Sequence, residues 1–161
     1  MNLPGLKIVL ASIETVLKGA SSLSYFGDNV YSAENILDLL NESQYPLINI
    51  DLDPKPFRVV LADNIHEKDC LRFEYHFHLQ YATINESKRI ALLGNDETKG
   101  LLDIHDDLYG VLMNNKTLNG TVYGMKVIGT DSQVFSPDPE KILFIAGADT
   151  VISYWIDVNL R

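Results

Sequence analysis

An α+β domain is predicted for this chain: an antiparallel or mixed β-sheet with helices packed mainly on one face. Three observations predict it. The chain opens on a stretch with helical apolar spacing, and a run in its middle alternates apolar and polar residues without a break. The order along the chain is helices, strands, helix, strands. Segregated elements of that kind favour an antiparallel or mixed sheet over alternating βαβ units. The 161 residues carry no internal repeat, linker or low-complexity segment, so residues 1–161 read as one domain, large enough for a core without covalent staples.

The first helix is expected from about Leu6 to Lys18, because Leu6, Val9, Leu10, Ile13, Val16 and Leu17 fall on one face. Pro4 stands near its start and Gly19 just past its end, where each is best tolerated. A polar loop with Tyr25, Phe26 and Gly27 follows. Ser32 is placed to cap a short helix bearing Ile36, Leu37, Leu39 and Leu40. Tyr45-Pro46 ends that helix, and Leu47 to Leu52 reads as a strand. Asp53-Pro54-Lys55-Pro56 reads as a turn before a short extended segment from Phe57 to Ala62.

The clearest element is the strand Leu71 to Ile84. Leu71, Phe73, Tyr75, Phe77, Leu79 and Tyr81 alternate with Arg72, Glu74, His76, His78 and Gln80. Burying six such side chains contributes on the order of 10 kcal/mol before entropy is subtracted. Asn85 to Gly100 is polar around Ile90-Ala91-Leu92-Leu93, and a flap, a hairpin tip and a helical turn all fit it. A third helix is expected from about Glu97 to Met113, with Leu101, Ile104, Leu108, Val111 and Leu112 on one face. Asn119-Gly120 turns the chain into a strand from Val122 to Ile128, and Ser136-Pro137-Asp138-Pro139 makes a turn. Ile142 to Ile145 and Val151 to Val158 are the closing strands, separated by Gly147-Ala148-Asp149.

Thirteen basic residues face 22 acidic ones, a formal net charge of −9. Nucleic-acid binders cluster Lys and Arg to displace phosphate counterions, and here the basic residues are scattered, so specific DNA binding is not expected. The one cysteine, Cys70, allows no intramolecular disulfide and fits a reducing compartment. No signal-peptide pattern opens the chain, and no run approaches the roughly 20 apolar residues of a membrane span, so a soluble protein with no membrane partner is expected. Without an export signal, the glycosylation-type triplets at Asn41, Asn85, Asn115 and Asn119 read as chance.

His76 and His78 are the sharpest candidates for chemistry. Two apart on a strand, they share a face with Cα atoms roughly 6–7 Å apart, so both could reach one metal ion. Cys70 has the same parity but stands roughly 20 Å from His76 along an extended chain. The plainer reading is a polar sheet face or a subunit contact, and no metal or cofactor is expected. His66-Glu67 begins like a zinc-protease helix, but Cys70 stands where the second histidine belongs. Asp103, His105, Asp106 and Asp107 read as a solvated, dipole-favoured helix start; a nuclease-like metal site would need carboxylates from several elements. No phosphate loop, nucleophile elbow or Walker-type lysine occurs, so no catalytic residue is expected.

The order of elements carries a resemblance: the amphipathic first helix, the short helix ending in Tyr45-Pro46, the long aromatic strand, and the late helix containing Leu101-Leu102-Asp103 and Leu108-Tyr109. Leu118-Asn119-Gly120 and the closing Ile152-Ser153-Tyr154-Trp155-Ile156 complete it. From about Leu6 to Val158 the chain resembles the tail terminator family of long-tailed bacteriophages, also called tail completion or minor tail proteins of the lambda U type. Ser136 to Thr150 and the His76/His78 pair match nothing in that pattern. The resemblance implies a virion subunit, assembled in the host cytoplasm, that forms a six-fold homo-oligomeric ring. Such a ring caps the tail tube, meets the tube protein on one side and the head–tail connector on the other, and lets DNA pass without specific binding. A neighbouring head–tail connector or neck completion protein is the alternative, and a small metal-dependent enzyme using His76 and His78 a second one.

Overall fold

The computed structural model describes residues 3–42, 44–61, 70–137, 140 and 143–159. Helix α1 (Leu6–Gly19) and a 3-10 helix (Ser21–Phe26) lead into strand β1 (Val30–Ser32) and the short helix α2 (Ile36–Glu42). Strands β2 (Leu47–Leu61) and β3 (Cys70–Asn85) follow, then helices α3 (Lys88–Leu93) and α4 (Leu101–Asn114). Strands β4 (Gly124–Phe135) and β5 (Phe144–Asn159) close the chain. The five strands form one mixed sheet in the order β1-β2-β3-β5-β4. Only β1 and β2 run parallel; every other neighbouring pair is antiparallel.

The alternation along β3 does what its period demands. Tyr75, Phe77, Leu79 and Tyr81 are buried against the apolar stripes of α1 (Val9, Ile13, Val16, Leu17) and α4 (Leu101, Ile104, Leu108, Val111, Leu112). Ile152, Tyr154 and Ile156 of β5 extend the same core. Helix α2 lies on the opposite face, where Ile36, Leu39 and Leu40 pack on a small second cluster of Leu47, Ala82 and Ile145. The fold class read from the sequence is the one observed. No helix among the described residues is long and apolar enough to cross a membrane.

Several boundaries differ from the sequence reading. Asp53–Pro56 is no turn between two strands: β2 runs through it, and the register jumps from Leu52↔Phe77 to Phe57↔Tyr75. Four residues of β2 therefore stand across from the single residue His76, an enlarged bulge that accommodates two prolines unable to donate to a ladder. Gly147-Ala148-Asp149 likewise sits inside one continuous strand, because β5 is paired on both sides, to β3 and to β4, over those residues. Two ladders outweigh a weak local preference for a turn.

Ser32 does not cap α2: its hydroxyl donates to Glu14 of α1 at 2.9 Å, and Asn35 Oδ1 accepts from the Leu37 N–H instead, at 3.0 Å. Strand β4 starts at Gly124 and continues seven residues beyond Ile128 to Phe135. Within Asn85–Gly100 the chain forms α3, whose Ser87 cap accepts from the Ile90 N–H. Gly94, at φ +74, then lets the chain double back against Gly100. Asp103 fixes that junction by accepting from the Gly100 N–H at 3.0 Å, so α4 starts at Leu101 rather than near Glu97. Ala62, the His66–Asp69 segment, Asp138, Pro139 and Ile142 lie outside the described residues.

Candidate functional site

The residues of β3 that point away from the main core are Arg72, Glu74, His76, His78 and Gln80. Their cross-strand partners share that face: Asp51 and Asn49 on β2, and Asp149, Val151, Ser153, Trp155 and Asp157 on β5. Beyond β5, Lys126 and Asp131 of β4 join them through Ser153 and Asp149. With Asp53 and Glu74 the face carries six carboxylates, at 51, 53, 74, 131, 149 and 157, against Arg58, Arg72 and Lys126. It is polar, connected and predominantly acidic.

His78 is the node of this network. Nδ1 bonds Asp149 at 2.8 Å and Nε2 bonds Asp53 at 2.9 Å. An ionised carboxylate only accepts, so both ring nitrogens must carry protons and the ring is an imidazolium. Burial opposes the charge, but the hydrogen bonds to Asp53 and Asp149 outweigh it and raise the His78 pKa above its ordinary value. Burial likewise works against charge on Asp53, and the Lys55 N–H and His78 overcome it, leaving its pKa lowered. One charged ring thereby ties β2, β3 and β5 together.

His76 is buried, with Nε2 2.8 Å from Glu74 and 3.3 Å from the Ser153 hydroxyl. Its Nδ1 is buried with no hydrogen-bond partner among the described residues. Burial works to raise the Glu74 pKa, but the bond to His76 and the charge of Lys126, with its ammonium at 3.6 Å, together lower it. Toward the end of the sheet, Arg72 grips Asp157 with two bonds of 2.8 and 2.9 Å and stacks over Trp155 at 4.8 Å from the ring centre. Where α2 meets this face, a groove of about 260 Å³ lies among Ile36, Leu40, Gln80, Asp131, Phe135 and Asp149.

The sheet ends in two open edges. Strand β1 covers β2 only at Ile48–Ile50, and from Phe57 to Val60 every residue of β2 is exposed, Phe57 at 42% and Val59 at 50%. Among the described residues strand β4 has β5 on one side only, and Ile128 to Gln133 are all exposed. A strand half-buried in a sheet alternates; these two stretches do not.

The sequence placed His76 and His78 on one face, and they stand there. The structure does not turn them toward a common ion: the two His78 nitrogens are committed to carboxylates on opposite sides of the ring. Among the described residues no group of three His, Cys, Asp or Glu side chains is placed to hold a metal. The acidic start of α4 is more engaged than a solvated face would be. Asp103 caps Gly100, Asp107 accepts from Tyr25 at 3.0 Å and pairs with Lys99 at 3.1 Å, and His105 bonds Tyr81 at 2.6 Å. Cys70 begins β3.

Asp53 and Asp149 are the site residues that sequence reasoning missed, the first having been assigned to a turn and the second to the separation between two strands. A signal existed for the second: Asp149, Val151, Ser153, Trp155 and Asp157 keep a period of two once the preceding Gly-Ala is allowed inside a strand. Comparison with protein-family models found no matching family, and comparison with curated proteins found no match.

Proposed function

We propose that the chain is a structural virion subunit of the tail terminator kind. In this reading, copies close into a homo-oligomeric ring that caps the tail tube and presents a surface to the head–tail connector. One observation carries it: a sheet packed by α1, α3 and α4 on one face, predominantly acidic and polar beside α2 on the other, and left unpaired at two exposed edges among the described residues. Open strand edges of this kind are normally paired, covered or blunted. A closed ring pairs two different surfaces of each copy, a heterologous contact, and leaves neither open.

The acidic face gives the ring a use. Turned toward the lumen, it repels the DNA phosphates and lets the duplex pass without holding it. The order of elements along the chain supports the same reading, and the role needs neither catalysis nor a cofactor.

Electron microscopy of the purified protein, alone and mixed with tail tubes, tests the proposal. Closed rings, six-fold by the resemblance, with density capping one end of the tube are the expected result. Rings that ignore tubes but bind a portal complex would move the protein to the neighbouring neck position. A monomer that ignores both would sink the ring reading.

A further inference from the structure

The two open edges have complementary directions and charges. Strand β3 is antiparallel to β2, β5 to β3, and β4 to β5, so β4 runs antiparallel to β2 across one subunit. Copies placed side by side in the same orientation therefore bring β2 of one against β4 of the next as an antiparallel pair.

The register follows from β1. With β4 of the neighbour level with its own position, Gly124 would stand opposite Arg58, since both align with Glu74 and Trp155. The neighbour's strand would then run on past Ile50 into space that β1 occupies. Sliding it until Asp131 stands opposite Arg58 brings its last residue, Phe135, opposite Pro54, short of β1. The exposed run beginning at Ile128 then falls on the exposed run Phe57–Val60.

The slide is the distance on β3 from Glu74 to Gln80, six residues or about 20 Å at the usual rise. Four strands per copy (β2, β3, β5 and β4) span about 19 Å at ordinary spacing. The strands would thus tilt by about 45°, near the range that sheets need to close on themselves.

The chemistry agrees with the register. Residues 54–61 carry Lys55 and Arg58 and no acid, in a chain where acids outnumber bases; residues 127–135 carry Asp131 and no base. Arg58 shares the polar face with Glu74, and Asp131 shares it with Asp149, so the two meet on one side of the joined sheet. Among the described residues Arg58 has only a 3.4 Å contact to Asp53, and its side chain is 43% exposed. Val59 meets Thr130 on the helical side.

We infer that copies of this chain join edge to edge, Phe57–Leu61 of one pairing antiparallel with Ile128–Ser132 of the next, with Arg58 opposite Asp131. This inference rests on the ring reading and names its interface. The polar face then forms one side of a continuous sheet wall, the lumen side in the ring reading.

Charge reversal tests it. Arg58→Asp and Asp131→Arg are each expected to raise the concentration of half-assembly by about tenfold or more, since like charges then face each other. The double variant is expected to restore assembly to near the wild-type concentration. Mass photometry or native mass spectrometry reads the ring, and circular dichroism reports that each variant folds.

Wild-type rings untouched by either single variant, or weakened by both without rescue in the double, would overturn this interface while leaving the ring standing. Wild-type protein that stays monomeric at every concentration would overturn interface and ring together.

Discussion

His78 shows how a residue can hold three strands through its charge alone. Its ring lies between Asp53 of β2 and Asp149 of β5, with Asp51 opposite it across the β2 ladder and His76 two residues away on β3. The net shift is upward from the ordinary value, despite burial. A group whose pKa rises on folding contributes its stability fully below the unfolded value of about 6.5 and loses it as pH rises through the folded value. His78→Gln is therefore expected to cost about 1–2 kcal/mol near pH 6, toward the low end because Asp149 is partly exposed and screened. The gap should narrow at a second pH above the folded value, where the wild-type ring has also lost its charge. Urea unfolding of both proteins at the two pH values measures it; a gap that stays constant would mean that the ring acts by shape. That His76 and His78 share a face was legible in the sequence, because parity on a strand is local. Their partners were not, since Asp53 and Asp149 lie 25 and 71 residues away and meet His78 only through the sheet order.

At the scale of elements, the chain was legible where the apolar pattern was strong, as in strand β3 and the helices α1 and α4, even though the start of α4 was placed four residues early. The pattern failed where a ladder on each side overrode local preference, which is why Gly147-Ala148-Asp149 vanished into β5 and Asp53–Pro56 into β2. Gly124, at the start of β4, illustrates a constraint that no pattern reveals. A Cβ there would stand 2.4 Å from the Trp155 ring, which Arg72 holds from its own strand. The ring is fixed because the guanidinium is itself anchored on Asp157. Gly124→Ala should thus displace the indole at a cost of about 1–3 kcal/mol, as overpacking does elsewhere. Trp155 is the chain's single tryptophan, so a shifted emission maximum would report the displacement directly. Unchanged emission with unchanged stability would show that β4 can move away from the ring without loss.

For the whole molecule, the question is what the two open edges do to stability. Inner strands β3 and β5 have partners on both sides, so their amides open only with the sheet. Among the described residues no strand pairs with the outer side of β2 from Phe57 to Leu61 or with the outer side of β4. A long apolar edge is a liability that proteins manage with charge, proline or cover. Here Pro54, Lys55 and Pro56 blunt the start of the free stretch and leave Phe57–Leu61 with Arg58 alone. If a second copy supplies the cover, assembly stabilises the folded state by mass action and the protection must depend on concentration. Hydrogen exchange at several dilutions is expected to show Phe57–Leu61 and Ile128–Ser132 exchanging quickly when dilute and slowly when concentrated, while β3 and β5 stay slow throughout. Local opening is the proper reading of such a difference, because global unfolding would expose all four strands alike. Protection that rises in α2 or α4 instead, with the edges unchanged, would place the contact between copies on the helices. It would leave the edges to be guarded by their own charge and prolines.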